Sequence, residues 1–332
     1  MTPTLAITLG DPAGVGPEVA ARALFDPEVR RLARFVVYGD PAVLDRACRS
    51  TRLRLDPVLV TAPGQTPAGS FGLIAVPGQG VTATPPGTPD LATGAWVRDC
   101  VEAAARAALA GEVDGIVTGP INKEALSRAT GRTEGHTEFL ARLTGSARPV
   151  MMLAGPTLRV VSATSHARLA DVPGLLTVEL VEQQGVVLAE GLRRFFCLAA
   201  PRIAVCALNP HRGEGGLYGD EEARVLVPAV ARLRARGIDA AGPEPADTVF
   251  LHAARGRHDA VLAMYHDQAM IPLKLLHFES AINVTLGLPI VRVSPGHGTA
   301  YDLAGTGTAD AASMKSAIRI AAGMAACAKQ PT

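Results

Sequence analysis

The sequence predicts an α/β protein built on one or two largely parallel sheets, and three observations predict it. Short β-branched apolar runs alternate with longer Ala- and Leu-rich stretches, the change of period expected when strands feed crossover helices. The chain has 332 residues, room for two domains at roughly 100–200 residues each, so each can bury a core without disulfide or metal staples. Its residues are 48% apolar and 19% charged, with 34 Gly and 25 Pro to form turns, which is a globular profile.

Taken in order, strands are expected at Leu5–Leu9, Phe35–Tyr38, Leu73–Val76, Gly115–Thr118, Val150–Leu153, Leu158–Ala163, Ile203–Leu208, Ala260–Met264, Ile282–Thr285 and Ile290–Val293. Helices are expected at Pro17–Leu24, Trp96–Ala110, Thr177–Arg193, Glu221–Arg236 and Ala309–Ala326. Between Thr61 and Asp90 the turns Pro63-Gly64, Pro77-Gly78 and Pro85-Pro86-Gly87 predict looped edge structure around one strand.

Thirty-two basic against 31 acidic side chains leave a formal charge of +1, which gives no electrostatic footprint for nucleic acid or an anionic membrane surface. The apolar stretch Phe195–Leu208 is broken by Pro201 and Arg202 and falls short of the ~20 residues a span needs. The first residues lack the basic start of a signal peptide and soon reach Asp11-Pro12. Cys48, Cys100, Cys197, Cys206 and Cys327 are odd in number and widely spaced, which suits a reducing compartment. A soluble cytoplasmic protein is expected. Only four of the basic residues are lysines: Lys315 and Lys329 read as solvated, whereas Lys123 and Lys274 adjoin motifs.

Gly10-Asp-Pro-Ala-Gly-Val-Gly-Pro-Glu18 follows the first strand and opens a helix, so its amides are candidates for an anion and equally for a tight turn. It matches neither G-x-G-x-x-G nor the P-loop. Three histidines, His166, His211 and His266, each follow an apolar β-type run and lie 45 and 55 residues apart. Ligands of open α/β sheets sit outside the carboxyl ends of strands, so three imidazoles there can form an open divalent-metal site. His252, His258 and His277 lack that context and read as surface or helix residues. In Gly135-His136-Thr137-Glu138 a helix start is expected with Thr137 as cap and His136 off its amide end. Thr118-Gly-Pro-Ile-Asn-Lys123 offers a donor-rich loop after a strand. Arg292 within a strand and Lys274 within Ile-Pro-Leu-Lys-Leu-Leu each require an anionic partner, from protein or substrate. Asn283 lies in another strand. Gly296-His297-Gly298-Thr299-Ala300-Tyr301-Asp302-Leu303-Ala304-Gly305-Thr306-Gly307 is small enough in side chain for close approach to a flat ligand.

These motifs, in order from end to end of the chain, resemble the 4-hydroxythreonine-4-phosphate dehydrogenase family of pyridoxal phosphate synthesis. The matching stretches are Gly10–Glu18, Thr118–Lys123, Gly135–Glu138, the His166 region, Asn209–Gly216, Ala263–Gln268, Asn283–Pro289 and His297–Ala300. The resemblance implies two α/β/α domains similar to isocitrate and isopropylmalate dehydrogenases, without a Rossmann fingerprint. The division it suggests is 1–130 with 296–332 against 131–295, the second carrying the metal ligands and a dimer interface. It implies a homodimer, NAD or NADP, and one divalent metal (Zn, Mg, Co or Mn) on His166, His211 and His266, with His266 given across the interface. Substrate contacts would be His136, Thr137, Lys274, Asn283 and Arg292. Cofactor contacts would be His297, Gly298, Thr299, Ala300, Asp302 and Leu303, in a loop similar to H-G-S-A-P-D-I-A-G of isopropylmalate dehydrogenases. The proton acceptor is Lys274 or a water near Asp267.

The reaction implied is oxidative decarboxylation of 4-phosphohydroxy-L-threonine to 3-amino-2-oxopropyl phosphate. Gly296 stands where the family usually has Asp, and Ser280-Ala-Ile-Asn283 where it usually has Gly-Val-Asn. Asp247-Thr-Val-Phe-Leu251 and Ile271–Leu276 equally resemble the branch that oxidises 4-phospho-D-threonate or 4-phospho-D-erythronate. An inactive metabolite-binding protein is the alternative of another class.

Overall fold

The computed structural model describes residues Thr2–Gln330. Two compact units divide the chain, Met1–Pro149 with Leu288–Thr332, and Val150–Gly287. The first unit begins with β1 (Thr4–Thr8), α1 (Gly16–Phe25), α2 (Pro27–Arg30), β2 (Arg34–Gly39), α3 (Pro41–Thr51), β3 (Val58–Leu59) and β4 (Gly72–Ala75). It continues through α4 (Gly94–Leu109), β5 (Gly115–Thr118), α5 (Lys123–Thr130) and α6 (His136–Thr144). The second unit runs β6 (Val150–Ala154), β7 (Arg159–Ser162), α7 (Val172–Leu175), α8 (Val178–Phe196), β8 (Arg202–Cys206), α9 (Val227–Ala235), β9 (Asp239–Glu244), α10 (Ala246–Ala254), β10 (Ala260–Ala263), α11 (His266–His277) and β11 (Ile282–Leu286). The chain then returns to the first unit with β12 (Arg292–Pro295) and α12 (Ala312–Ala328).

In the first unit the strands are all parallel, in the order β3-β4-β2-β1-β5-β12. Leu5, Ile7, Val36, Val37, Ile116 and Val117 are buried, as expected of parallel strands covered by helices. The chain leaves β1 for β2 on one side while β5 lies on the other, so the carboxyl ends of β1 and β5 form a topological switch point.

In the second unit the order is β11-β6-β7-β10-β8-β9. β7, β10, β8 and β9 are parallel, but β6 is antiparallel to both β7 and β11. The link from β6 to β7 explains this: it closes with Gly155 N donating to Leu158 O (2.8 Å), far too short for a crossover. The switch point of this unit lies between β8 and β10.

The ten expected strands are all present. Beyond them are the two-residue β3, and β9, which reads Asp-Ala-Ala-Gly-Pro-Glu with no β-branched residue to announce it. The expected helix Glu221–Arg236 is a π-type turn (Glu222–Leu226) followed by α9, with Pro228 at the junction. Helices α3, α5, α10 and α11 were not expected. Residues 131–149 and 288–295 lie with the first unit, whereas the sequence division places them in the second: α6 packs on α4, and β12 pairs with β5 through Arg292↔Ile116 and Val293↔Val117. Lys315 and Lys329 are not free in solvent but ion-paired to Asp26 (2.8 Å) and Asp114 (2.7 Å). His258, read as a surface or helix residue, is buried before β10 beside Glu244 (3.1 Å). Cys48, Cys100 and Cys206 are buried thiols. Among the described residues no helix is long and apolar enough to cross a membrane.

Candidate active site

At the switch point of the first unit the Gly10–Gly16 turn spends its own amides. Asp11 N donates to Pro120 O (2.9 Å), Ala13 N to Asp11 Oδ1 (2.9 Å), Gly14 N to Asp11 O (3.1 Å) and Val15 N to Thr299 O (2.9 Å). The glycines are there for close approach: a Cβ on Gly10, at φ +76°, would lie 2.3 Å from Pro120 O. The turn is a packing platform, with the amides of Asp11, Ala13, Gly14 and Val15 already bound to protein acceptors.

Two basic side chains stand nearby. Arg292, the first residue of β12, is buried, and its Nε and Nη2 donate to Thr118 Oγ1 (3.2 and 2.8 Å). Burial lowers its pKa to about 10, against the opposing pull of Glu138. His136 is the first residue of α6, and its Nε2 is buried with no hydrogen-bond partner in the protein. Burial first, and the charge of Arg292 second, hold its pKa well below the ordinary 6.5, so it is neutral at pH 7. A buried guanidinium beside a neutral imidazole with an open ring nitrogen suits a phosphate or carboxylate. Thr137 is not the cap expected of it: α6 starts one residue earlier, at His136, with Gly135 as N-cap and Glu138 Oε2 accepting from Gly135 N (2.9 Å).

The loop after β12 is clamped onto the switch point. Tyr301 Oη donates to Asp11 Oδ2 (2.6 Å) and accepts from Asn122 Nδ2 (3.0 Å). Glu18, buried on α1, accepts from Gly305 N (2.6 Å) and Gly307 N (3.2 Å). Asp302 and Leu303 face solvent, and the space beside Gly298 is open. His297 Nδ1 meets Gly298 O (2.9 Å), and its Nε2 is buried without a partner. Thr299 and Ala300 are half-buried, Ala300 in the left-handed region at φ 41°.

In the second unit His166, His211 and His266 follow β7, β8 and β10, three adjacent parallel strands with β10 in the middle. All three therefore leave one edge of the sheet, as the sequence predicts. Thr164 Oγ1 donates to Met264 O (2.8 Å), tying the exit of β7 to that of β10. The rings of His166 and His266 stand 5.8 Å apart, centroid to centroid. His211 has Tyr218 as its ring neighbour at 6.4 Å, and among the described residues no three His, Cys, Asp or Glu side chains of the chain are grouped to hold a metal. His166 and His211 occupy left-handed backbone, φ 54° and 51°, the kind of strain that collects at functional sites. His266 Nδ1 donates to Asp267 Oδ1 (2.7 Å), which leaves Nε2 available.

Asn283, on β11, has a buried Oδ1 without a partner. Lys274 projects from the exposed side of α11, about 12 Å along the axis from His266 at 1.5 Å per residue. Lys274 and Asp267 are therefore not neighbours on their own helix. Sequence reasoning missed Glu222, whose buried carboxylate holds the backbone before His211, and Gln268, which bridges Met264 N (2.7 Å) and Ala207 O (2.8 Å). A polar residue four positions after a strand end was the available signal for Gln268.

A family model described as pyridoxal phosphate biosynthetic protein PdxA matches residues 31–321. The chain belongs to the PdxA family. It is 51% identical to a 4-hydroxythreonine-4-phosphate dehydrogenase of Geobacter metallireducens, over 97% of this chain and 96% of that one. It is also 43% identical to a protein of Symbiobacterium thermophilum provisionally named D-threonate 4-phosphate dehydrogenase, over 98% and 97% of the two chains. The crystal structure of 4-hydroxythreonine-4-phosphate dehydrogenase from Klebsiella pneumoniae superimposes with a TM-score of 0.89 at 39% identity, covering 98% of each chain. A β-decarboxylating dehydrogenase of Thermococcus kodakarensis, 14% identical with a TM-score of 0.50 over 96% of this chain and 81% of that one, shares the fold alone.

Proposed function

We propose that the protein is a metal- and NAD(P)-dependent dehydrogenase that oxidises and decarboxylates 4-phosphohydroxy-L-threonine to 3-amino-2-oxopropyl phosphate. The observation that carries the reading is the exit of His166, His211 and His266 from three adjacent parallel strands, with Asp267 orienting His266. An imidazole-rich donor set suits Zn, Co or Mn better than Mg, which prefers oxygen ligands. A divalent cation held by these histidines would supply Lewis acidity to an alcohol oxidation and the decarboxylation that follows it.

The remaining work belongs to side chains. Arg292 and the neutral His136 bind an anionic group of the substrate, with Thr118 fixing the guanidinium. Thr137, Asn283 and Lys274 are further substrate contacts, and Lys274 or a water near Asp267 takes the hydroxyl proton. His297, Gly298, Thr299, Ala300, Asp302 and Leu303 hold the dinucleotide, in a loop pre-set by Glu18 and by the Asp11–Tyr301–Asn122 chain.

The working form is a homodimer, and because the rings of His166 and His266 of one chain already stand 5.8 Å apart, that pair is read within one copy and not with His266 of the second. Ile271, Leu275 and Phe278 are exposed at 65, 83 and 76% along one side of α11, with Lys274 among them, and an apolar ridge of that kind is suited to burial against a second copy. A cytoplasmic location fits this chemistry. The Symbiobacterium relative favours a second reading, oxidation of 4-phospho-D-threonate or 4-phospho-D-erythronate with the same ligands. A side-by-side assay of NAD(P)H formation with the three acids, scored by kcat/KM, decides between them. No turnover of any of them would leave a metabolite-binding protein.

A further inference from the structure

The turn carrying His211 is held in an uncommon backbone state. His211, Arg212, Gly213, Glu214 and Gly215 follow one another in the left-handed region, with φ of 51, 59, 75, 41 and 69°. Left-handed backbone is unfavourable for any residue with a side chain, and three of these five carry one. The surroundings must over-determine such a turn.

Glu222 does so from the first turn after it. This carboxylate is 5% exposed, and its Oε1 accepts from Leu208 N (2.9 Å) and Asn209 N (2.7 Å). Its Oε2 accepts from Asn209 Nδ2 (3.0 Å), an amide that also reaches Glu221 Oε2 (2.7 Å). A Cβ added to Gly213 would stand 2.8 Å from Glu222 Oε2, so the same carboxylate touches the turn on both sides of His211. Gln268 fixes the preceding carbonyl, Ala207 O (2.8 Å). Three consecutive residues before the Pro210-His211 corner are thus locked by two buried side chains. Glu222 itself opens the π-type turn Glu222–Leu226, a backbone form frequent at functional sites.

We infer that Glu222 is a positioning residue for His211: it fixes the left-handed turn from which the imidazole leaves the sheet edge, and it thereby sets metal affinity. The inference rests on the metal reading above. Its test is Co2+ binding to the full-length protein, read by chelator competition and by the visible absorption of the bound ion. Glu222→Gln keeps the size of the side chain but turns an NH2 toward N–H donors. It should weaken Co2+ binding by about 10–100-fold, the usual effect of losing a group that orients a ligand, and alter the Co2+ spectrum. Gly213→Ala, whose Cβ would press on Glu222 Oε2 and on Gly219 O at a backbone of φ +75°, should do the same. Val230→Ala, a buried truncation on α9, should lower the melting temperature and leave both readouts unchanged. His211→Ala should lose Co2+ binding. Wild-type affinity and spectrum in both Glu222→Gln and Gly213→Ala, with His211→Ala deficient, overturn the positioning role and leave the metal reading standing. Wild-type affinity in His211→Ala removes the metal reading and this inference together.

Discussion

Two glycine-bearing turns, Gly10–Gly16 after β1 and His211–Gly216 after β8, leave the carboxyl ends of parallel strands at the switch points of their units. They look alike in the sequence and differ in where their polar groups go. The first is buried throughout, and its amides at Asp11, Ala13, Gly14 and Val15 are bound to Pro120, Asp11 and Thr299. The second is largely exposed and strained, held from outside by Glu222. A turn whose donors are consumed internally is a joint, whereas a turn whose strain is borne by neighbours is free to present a side chain.

Substitutions can break or sharpen this contrast. His211→Ala is expected to have the largest effect: metal-dependent turnover falls below detection while circular dichroism and melting stay near wild type, because an exposed side chain adds little core burial. Next, Arg292→Met should lower kcat/KM by on the order of a hundredfold, close to 3 kcal/mol, through loss of the buried cation facing the substrate anion. Gly10→Ala inverts the His211 result. It should lower stability by at least the ~1–3 kcal/mol of backbone strain, since the added Cβ also meets Pro120 O, seen as an earlier denaturant midpoint, and leave Co2+ affinity of the folded protein intact. Tyr301→Phe strips the loop clamp of the phenol's hydrogen bonds to Asp11 and from Asn122, so the KM for the dinucleotide should rise roughly fivefold, about 1 kcal/mol, at similar kcat. A smaller signal comes from His136, whose folded pKa lies below its unfolded value, so the unfolded chain binds the extra proton. The stability it contributes is full above the ordinary pKa of 6.5 and is lost as pH falls through and below it. Urea titrations from pH 7.5 down to about pH 5 should show that slope in the wild type and a reduced one in His136→Gln.

Much of this architecture was legible because strand ends and histidines share a position in the sequence: His166, His211 and His266 each follow an apolar run, and parallel strands put their carboxyl ends on one edge. The reversal of β6 was also within reach, since only Gly155–Leu158 separate it from β7. Helix α11 was hidden by its own apolarity. Ala269, Met270 and Leu273 are buried while Ile271, Leu275 and Phe278 are exposed, so the helix is apolar all round and shows no period, and Pro272 interrupts it further. The spent amides of the Gly10–Gly16 turn could not be read at all, because their acceptors at Pro120 and Thr299 are more than a hundred residues away. The partners that steady the site, Thr118 for Arg292 and Glu222 for His211, were hidden for the same reason: a buried acceptor carries no local pattern.

The most direct test of the account is NAD(P) reduction by purified protein supplied with 4-phosphohydroxy-L-threonine, before and after stripping with a chelator and after adding back Zn2+, Co2+ or Mn2+. The account predicts NAD(P)H formation that disappears on stripping, returns with the ion, and fails to return in His211→Ala. Turnover that survives stripping unchanged, or that returns fully in His211→Ala, would contradict it.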